Sequence, residues 1–325
     1  MLKIAVTVTF LLIATVLTLS TYNSMQKVPS DLSSLFIIQK KHSFLDRNGV
    51  SLNTTYSNRW NTIDTLELYE LPELFLEALL ISEDQNFYNH NGVDWQARLH
   101  ALWQNIKAMR RIRGASTLSE QVIKMIHPRQ RTLYSKWLEG FEAQELEEKV
   151  SKKDILTFYV NQVPYAANRR GVKQAAKYYF NRDISTLSDK EILALVILVR
   201  SPRWYDPVKY PERLNGKIAQ LALRLYEQHL INTIELQNIQ KSKLSLSQQK
   251  QDLDVSHFIR YVSSRLANNN KEKRTIHTTL DIDLQQFIQE ALNTKVLSLQ
   301  HKNVHNAAVI VIDHLFFLKN IDPLF

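Results

Sequence analysis

Between Lys3 and Lys27 the chain carries no charge, and residues 4–20 are apolar or Ser/Thr throughout. A helix needs roughly 20 such residues to cross a bilayer. A cleaved secretory signal has a shorter apolar region ending in an A-x-A-like site. No such site lies near Ser20. The pattern predicts an uncleaved signal anchor over residues 1–26, with Lys3 on the cytoplasmic side and the rest of the chain outside. This bears on the net charge of +9. A basic balance suits nucleic acid, a membrane surface or a phosphorylated substrate. A chain held outside the cytoplasm keeps the last two, and nucleic acid is not an expected partner. The sequence has no cysteine, which excludes disulfides, thiolate metal sites and cysteine nucleophiles.

Residues 27–43 read as a stalk, and Asp46 to Gly49 as a turn between two short β-type runs. A main domain is expected over residues 44–240. Leu74, Phe75, Ala78, Leu79 and Ile81 recur at helical period, with Glu83 and Asp84 at the end of the stripe. Asp94 is placed to cap a helix through Arg111. Thr117-x-x-Glu120 and Ser188-x-x-Glu191 are capping boxes that start helices, and Pro128 stops the first of these. Further helices are predicted over 134–150, 152–161, 171–180, 188–199 and 211–230. The Lys/Ser/Gln-rich stretch after 241 predicts a linker over 241–274. Residues 307–313 have the composition of a β-strand. A lone strand cannot make a sheet, so the tail over 275–325 reads as an incomplete α/β piece. The expected fold class is mainly α.

Several residues could carry chemistry. Glu83 closes an apolar helix before a turn; burial there would raise its pKa, with Asp84 adding repulsion, as a general base near neutral pH requires. A solvated helix end is the commoner reading of such a pair. Gln121 and Lys124 share a helix face, and Arg131 and Lys136 follow. With the helix N-terminal amides near Ser116 and Thr117, this group could hold a phosphate or pyrophosphate; the alternative is a basic surface. Glu139 is either a second functional carboxylate or one half of an i,i+3 ion pair with Lys136. His90 and His100 make no H-E-x-x-H motif, which removes support for zinc, and His90 reads as structural. Trp103, Ile106, Met109 and Ile112 alternate with Lys107, Arg110, Arg111 and Arg113. Such a stretch either lies in a membrane interface or packs in a core.

Taken in order, the motifs resemble glycosyltransferase family 51, the peptidoglycan glycosyltransferase domain of class A penicillin-binding proteins. The pattern E-D-x-x-F-x-x-H-x-G-x-D runs from Glu83 to Asp94. The pattern G-x-S-T-[IL]-x-x-Q-x-x-K runs from Gly114 to Lys124. R-T and K-x-x-E fall on Arg131, Thr132, Lys136 and Glu139, S-K-x-x-I-L-x-x-Y-x-N on residues 151–161, and G-x-x-x-A-A-x-x-Y-F on residues 171–180. Five motifs in order carry far more weight than any one alone. S-T-L and H-P-R-x-R-T resemble the penicillin-binding protein 1C branch, and the likeness spans residues 44–230.

The resemblance implies a lysozyme-like glycosyltransferase domain that polymerises lipid II into glycan strands. The anomeric carbon would be inverted and undecaprenyl pyrophosphate released. It implies Glu83 as the base, with Asp84, Ser116, Gln121, Lys124, Arg131 and Lys136 binding substrate. It implies Glu139 as the second glutamate and a ligand of a divalent ion, Mg or Mn. Implied partners are lipid II, the growing strand, the bilayer and other cell-wall synthesis proteins; the implied location is the bacterial cytoplasmic membrane, single-pass, with the catalytic domain facing the periplasm or exterior. The alternatives are a lipid II or cell-wall binding remnant and a lytic enzyme of the same fold. Glu120 for glutamine, Ser135 for arginine, Thr157 for glutamate and Asn181-Arg182 for Gly-Lys depart from the family pattern and bear on the donor site. Residues 278–285 and 307–313 resemble the entry to a transpeptidase domain. That domain needs S-x-x-K, S-x-N and K-T-G in order. No K-T-G occurs, and the S-x-x-K matches at Ser24 and Ser247 are misplaced. Neither transpeptidase activity nor covalent penicillin binding is expected.

Overall fold

The computed structural model describes residues 2–37, 43–50, 52, 59–62, 64–109, 114–166, 169–246, 255–265, 275–304 and 306–311. Helix α1 (Leu2–Ser24) contains a 19-residue segment, Val6–Ser24, long and apolar enough to cross a membrane, and almost none of it is buried. Thr15, Thr18 and Thr21 turn their hydroxyls back onto the carbonyls of Leu11, Ala14 and Leu17 at 2.7–2.8 Å. Hydroxyls so satisfied need no water, as a spanning helix requires. The chain that follows is anchored at once: Val28 and Leu32 are buried in the main core, and a short helix, α2 (Ser34–Ile37), comes next.

Residues 1–39 and 55–249 group as one compact unit, and residues 40–54 and 250–325 as another. The first unit is helical, with only an isolated bridge between Pro164 and Arg170 among its described residues. Its centre is α9 (Asp189–Arg200), buried at every position from Lys190 to Val199. The run Ile-Leu-Ala-Leu-Val-Ile-Leu-Val has no polar face, so this helix is stable only when surrounded. Helix α3 (Glu73–Glu83) packs on one side of it and α10 (Pro211–Glu227) on another. Helix α5 (Leu118–Ile126) packs on α6 (Leu133–Lys149) and on α7 (Lys152–Gln162). Helices α8 (Val172–Phe180) and α11 (Thr233–Lys241) belong to the same unit.

The predicted caps form. Thr117 and Ser188 make full capping boxes with Glu120 and Glu191, and Asp94 accepts from the Ala97 N–H at 2.8 Å. Helix α4 (Trp95–Lys107) ends four residues before the predicted Arg111, and Met109 beyond it has a positive φ. Arg110, Arg111, Ile112 and Arg113 lie outside the described residues. Trp103, Ile106 and Met109 are 68%, 62% and 94% exposed, so this stripe is not core. Helix α10 stops at Glu227, short of the predicted 230, and His229 follows with φ 60°.

In the second unit β1 (Ser43–Leu45) pairs in parallel with β2 (Thr275–His277), Phe44 opposite Ile276. The predicted turn is present: Asp46 accepts from the N–H groups of Asn48 and Val50 at 2.8 and 2.7 Å, and Gly49 has φ +83°. Phe44, Leu52 and Val255 form a small core with Phe258, Ile259 and Val262 of α12 (Ser256–Arg265), and α13 (Ile282–Leu299) follows β2. Two expectations change here. The segment predicted as a linker over 241–274 contains α12, because Phe258, Ile259 and Val262 give a Ser-rich stretch an apolar face to bury. The predicted strand over 307–313 does not form: residues 307–311 are irregular and exposed, as β-propensity alone achieves nothing without a partner strand. Residues 312 and 313 lie outside the described residues.

Two glycines are fixed by close approach. A Cβ on Gly92 (φ +72°) would lie 2.4 Å from the Gln144 nitrogen, and one on Gly171 (φ +79°) 2.4 Å from the Asn161 carbonyl oxygen. Gly216, inside α10, has open space. Gly92→Ala and Gly171→Ala should each destabilise by ~3 kcal/mol or more, from backbone strain plus overlap with rigid backbone. Gly216→Ala should stabilise by ~1 kcal/mol. Denaturant melts of the three variants test this ranking.

Candidate active site

The end of α3 and the start of α5 are joined by one carboxylate. Asp84 Oδ2 accepts from the Leu118 N–H at 2.8 Å, and both of its oxygens lie 3.1 Å from His90 Nε2. Asp84 is thus an external cap on the N-terminus of α5, where the amides are unpaired and the helix dipole favours negative charge. The neighbouring Glu83 is aimed at the same helix one turn on. Its Oε2 accepts from Gln121 Nε2 at 3.1 Å, and Gln121 Oε1 accepts from the buried Tyr159 hydroxyl at 3.1 Å. Burial pushes the Tyr159 hydroxyl well up, so it remains a donor and fixes which way the Gln121 amide faces. Burial likewise raises the Glu83 carboxyl; the Gln121 hydrogen bond and the Arg200 charge lower it, and Asp84 adds repulsion. On α10, Arg224 donates to the Ile81 carbonyl at 2.7 Å, satisfying a group that the end of α3 leaves open.

Glu83 lies where two clefts of about 470 and 480 Å3 meet; Ser82, Gly114, Ser116 and Arg200 line both as well. The clefts differ in charge. Lys124, Arg129, Arg131, Lys136 and Arg200 line the first, against Glu83, Glu120 and Glu139. Asp84, Asn86, Asp94, Gln104 and Arg224 are among the residues of the second. Not all the cations of the first cleft are available. Arg129 is paired with the buried Glu142, and Lys136 lies 2.9 Å from Glu120 and 3.4 Å from Glu139. Glu120 also pairs with Arg98 of α4. Lys124 and Arg131 make no ion pair among the described residues.

Thus Glu83, Ser116, Gln121, Lys124, Arg131, Lys136 and Glu139 come together around one cleft, although they span 57 positions from 83 to 139. Asp84 lines the second cleft, and its oxygens are also engaged by α5 and His90, so it positions Glu83 and Gln121 as well. The Lys136–Glu139 ion pair exists together with the cleft, so the two readings of Glu139 are compatible. No group of three or more His, Cys, Asp or Glu able to hold a metal occurs among the described residues. Arg129, Glu142, Arg200 and Tyr159 were not singled out from the sequence. Tyr159, inside the Y-x-N pattern, and Arg129, inside H-P-R-x-R-T, carried a local signal; Arg200 lines the cleft and Glu142 holds Arg129 through long-range packing.

A family model described as transglycosylase matches residues 54–225, and the chain belongs to this family of peptidoglycan glycosyltransferases. Its relatives include penicillin-binding protein 1A of Aquifex aeolicus, 30% identical over 69% of this chain and 32% of that protein. They also include penicillin-binding protein 4 of Bacillus subtilis (26%; 72% and 37%) and penicillin-binding protein 1C of Escherichia coli (28%; 78% and 32%). The chain spans about a third of the length of these relatives. A crystal structure of penicillin-binding protein 1A from Haemophilus influenzae is similar at a TM-score of 0.41 and 15% identity, over 86% of this chain and 34% of that one.

Glu142 provides a test of the packing beside the cleft. Burial alone would raise its carboxyl, but hydrogen bonds from His127, Arg129 and the Gln26 N–H outweigh this and hold it at about 2, against 4.5 unperturbed. A depressed carboxyl adds stability above its unfolded pKa and loses it as pH falls. The contribution, about 3 kcal/mol from such a shift, should be complete above roughly pH 5 and vanish between 4.5 and about 2. Urea melts across that window should show a steep acid limb in the wild type and a flatter one in Glu142→Gln.

Proposed function

We propose that this chain is a membrane-anchored peptidoglycan glycosyltransferase that polymerises lipid II in cell-wall synthesis. The observation that carries this reading is the placement of Glu83. It is a carboxylate raised by burial, where a basic cleft meets a polar one. The acceptor sugar occupies the polar cleft and the growing chain, with its lipid pyrophosphate, the basic one. Glu83 takes the proton from the acceptor hydroxyl. That oxygen attacks the anomeric carbon from the face opposite the pyrophosphate, which leaves with inversion. Lys124 and Arg131, which make no ion pair among the described residues, offset the charge that develops on the leaving group, where such charge is most effective. Gln121 orients Glu83, and Tyr159 orients Gln121.

A divalent ion is compatible with these residues. Mg commonly binds one or two carboxylates and takes its other ligands from water and substrate phosphates, so a cluster of three side chains is not needed. Glu139, lining the basic cleft, would hold it together with the pyrophosphate. The ion would supply further charge neutralisation to the leaving group.

The apolar α1 and the exposed Trp103, Ile106 and Met109 support action at a bilayer surface, α1 as a single-pass anchor and α4 in the interface. The catalytic unit then faces the exterior, where lipid II and the growing strand are its partners. One observation favours a second reading, lipid II binding without turnover. Glu120 and Glu139 together hold Lys136, which removes one cation from the leaving group.

The full chain in vesicles, given labelled lipid II with Mg or Mn, should make glycan polymer. Glu83→Gln should lose about 10²–10⁴-fold in rate, the span of a general base. Binding with no polymer from the wild type would establish the second reading. Activity requires ionised Glu83, so the rate should fall on the acid side with a midpoint above 4.5. Gln121→Leu removes a hydrogen bond that stabilises the ionised form, and should move that midpoint to still higher pH. An unmoved midpoint would remove Glu83 as the titrating base.

A further inference from the structure

Both oxygens of Glu142 are engaged, and its partners come from three places. Oε1 accepts from the Gln26 backbone N–H at 2.7 Å and from Arg129 Nη2 at 2.5 Å; Oε2 accepts from Arg129 Nη1 at 2.7 Å and lies 2.9 Å from His127 Nδ1. The carboxylate is wholly buried. Arg129 grips it through two parallel bonds, a geometry that the planar guanidinium provides and an ammonium does not. Arg129 also lines the basic cleft. Gln26 stands two residues beyond the end of α1. Helix α6, which carries Glu142, also receives the end of α1: Tyr134 bonds Ser20 and Ser24 at 2.8 and 3.1 Å, and the Trp137 indole donates to Thr21 at 2.9 Å.

We propose that Glu142 is a positioning residue for the leaving-group side of the site. With one carboxylate it holds Arg129 at the wall of the basic cleft and the backbone at the exit of α1, so that cleft and anchor are coupled through it. The ligand class that Arg129 would meet is a pyrophosphate, and this rests on the function proposed above. The coupling itself rests only on the four hydrogen bonds. An ion pair serving stability alone would tie Arg129 down without making the Gln26 amide depend on it. Here the two share Oε1, and loss of Arg129 leaves that oxygen buried with altered charge balance, so the amide must respond.

The test uses the full chain in vesicles and two readouts. Hydrogen exchange of the Gln26 amide should rise roughly tenfold or more in Glu142→Gln, the loss expected when a charge-assisted hydrogen bond becomes a neutral one, and several-fold in Arg129→Gln. Inorganic pyrophosphate, as the probe, should bind more weakly to both variants, and the double variant should be no weaker than Arg129→Gln, because the residues act as one unit. Wild-type pyrophosphate affinity in folded Glu142→Gln would overturn the proposal, as would unchanged Gln26 exchange in Arg129→Gln. Should Glu142→Gln fail to fold, the Arg129→Gln exchange rate decides alone. If the wild type binds no pyrophosphate while Gln26 still responds to Arg129→Gln, the coupling stands and the proposed function falls.

Discussion

The bond from the Leu118 amide to the Asp84 carboxylate sets the geometry on which the site depends. It joins the residue just beyond one helix to the first residue of another, 34 positions later. Because Glu83 precedes Asp84 and Gln121 lies one turn beyond Leu118, closing this bond also brings Glu83 and Gln121 to 3.1 Å. The cap is favourable twice over: it satisfies an unpaired amide and places negative charge at a positive helix end. His90 closes the other side of the carboxylate, and Thr117 donates to the Gly92 carbonyl at 2.6 Å. Gly92 in turn sits against the backbone of α6. The turn between Asp84 and Asp94 is therefore a rigid spacer among α3, α5 and α6, and its glycine is required by contact as well as by φ.

Charge in the basic cleft is regulated by burial more than by number. Five cations among the described residues line it, but only those without a carboxylate partner are free to meet a ligand. Glu120, fully buried, faces both Arg98 and Lys136. A neutral glutamine there, the residue of the family pattern, could accept from these groups but would not balance their charge. The glutamate present here makes an internal network that ties α4 and α6 to α5. Breaking such a buried network by removing one member is costly, because the remaining charge is left unpaired.

The sequence made local features legible and hid pairings. Asp94, Thr117 and Ser188 could be assigned as caps because a cap and its partner lie within three residues. Helix ends drifted where no cap was present, as after Lys107 and Glu227. The apolar face of α12 was masked by Lys, Ser and Gln around it, and the tail strand was read from propensity without knowledge of a partner. At the site, Glu83, Gln121 and Lys124 were readable as motif residues, but the roles of Asp84, Glu120 and Glu142 were not. Each is a carboxylate whose function depends on which donor lies opposite, and each has one donor 22 or more positions away. Nothing in local spacing distinguishes a carboxylate that will face a ligand from one that will face a helix end.

Helix α6 shows why the distinction matters. Tyr134 and Trp137 hold the end of α1, Lys136 and Glu139 line the cleft, and Glu142 reaches inward to both Arg129 and Gln26. In the function proposed above the substrate is carried on a lipid, with its reactive group at a fixed depth from the bilayer. An enzyme for it gains from fixing its own cleft at the same depth. A flexible stalk between α1 and the first unit would leave that depth undefined. Instead the chain leaves α1 directly onto α6 and into the core at Val28. The same helix therefore carries both the contacts that receive the end of α1 and charged side chains of the cleft.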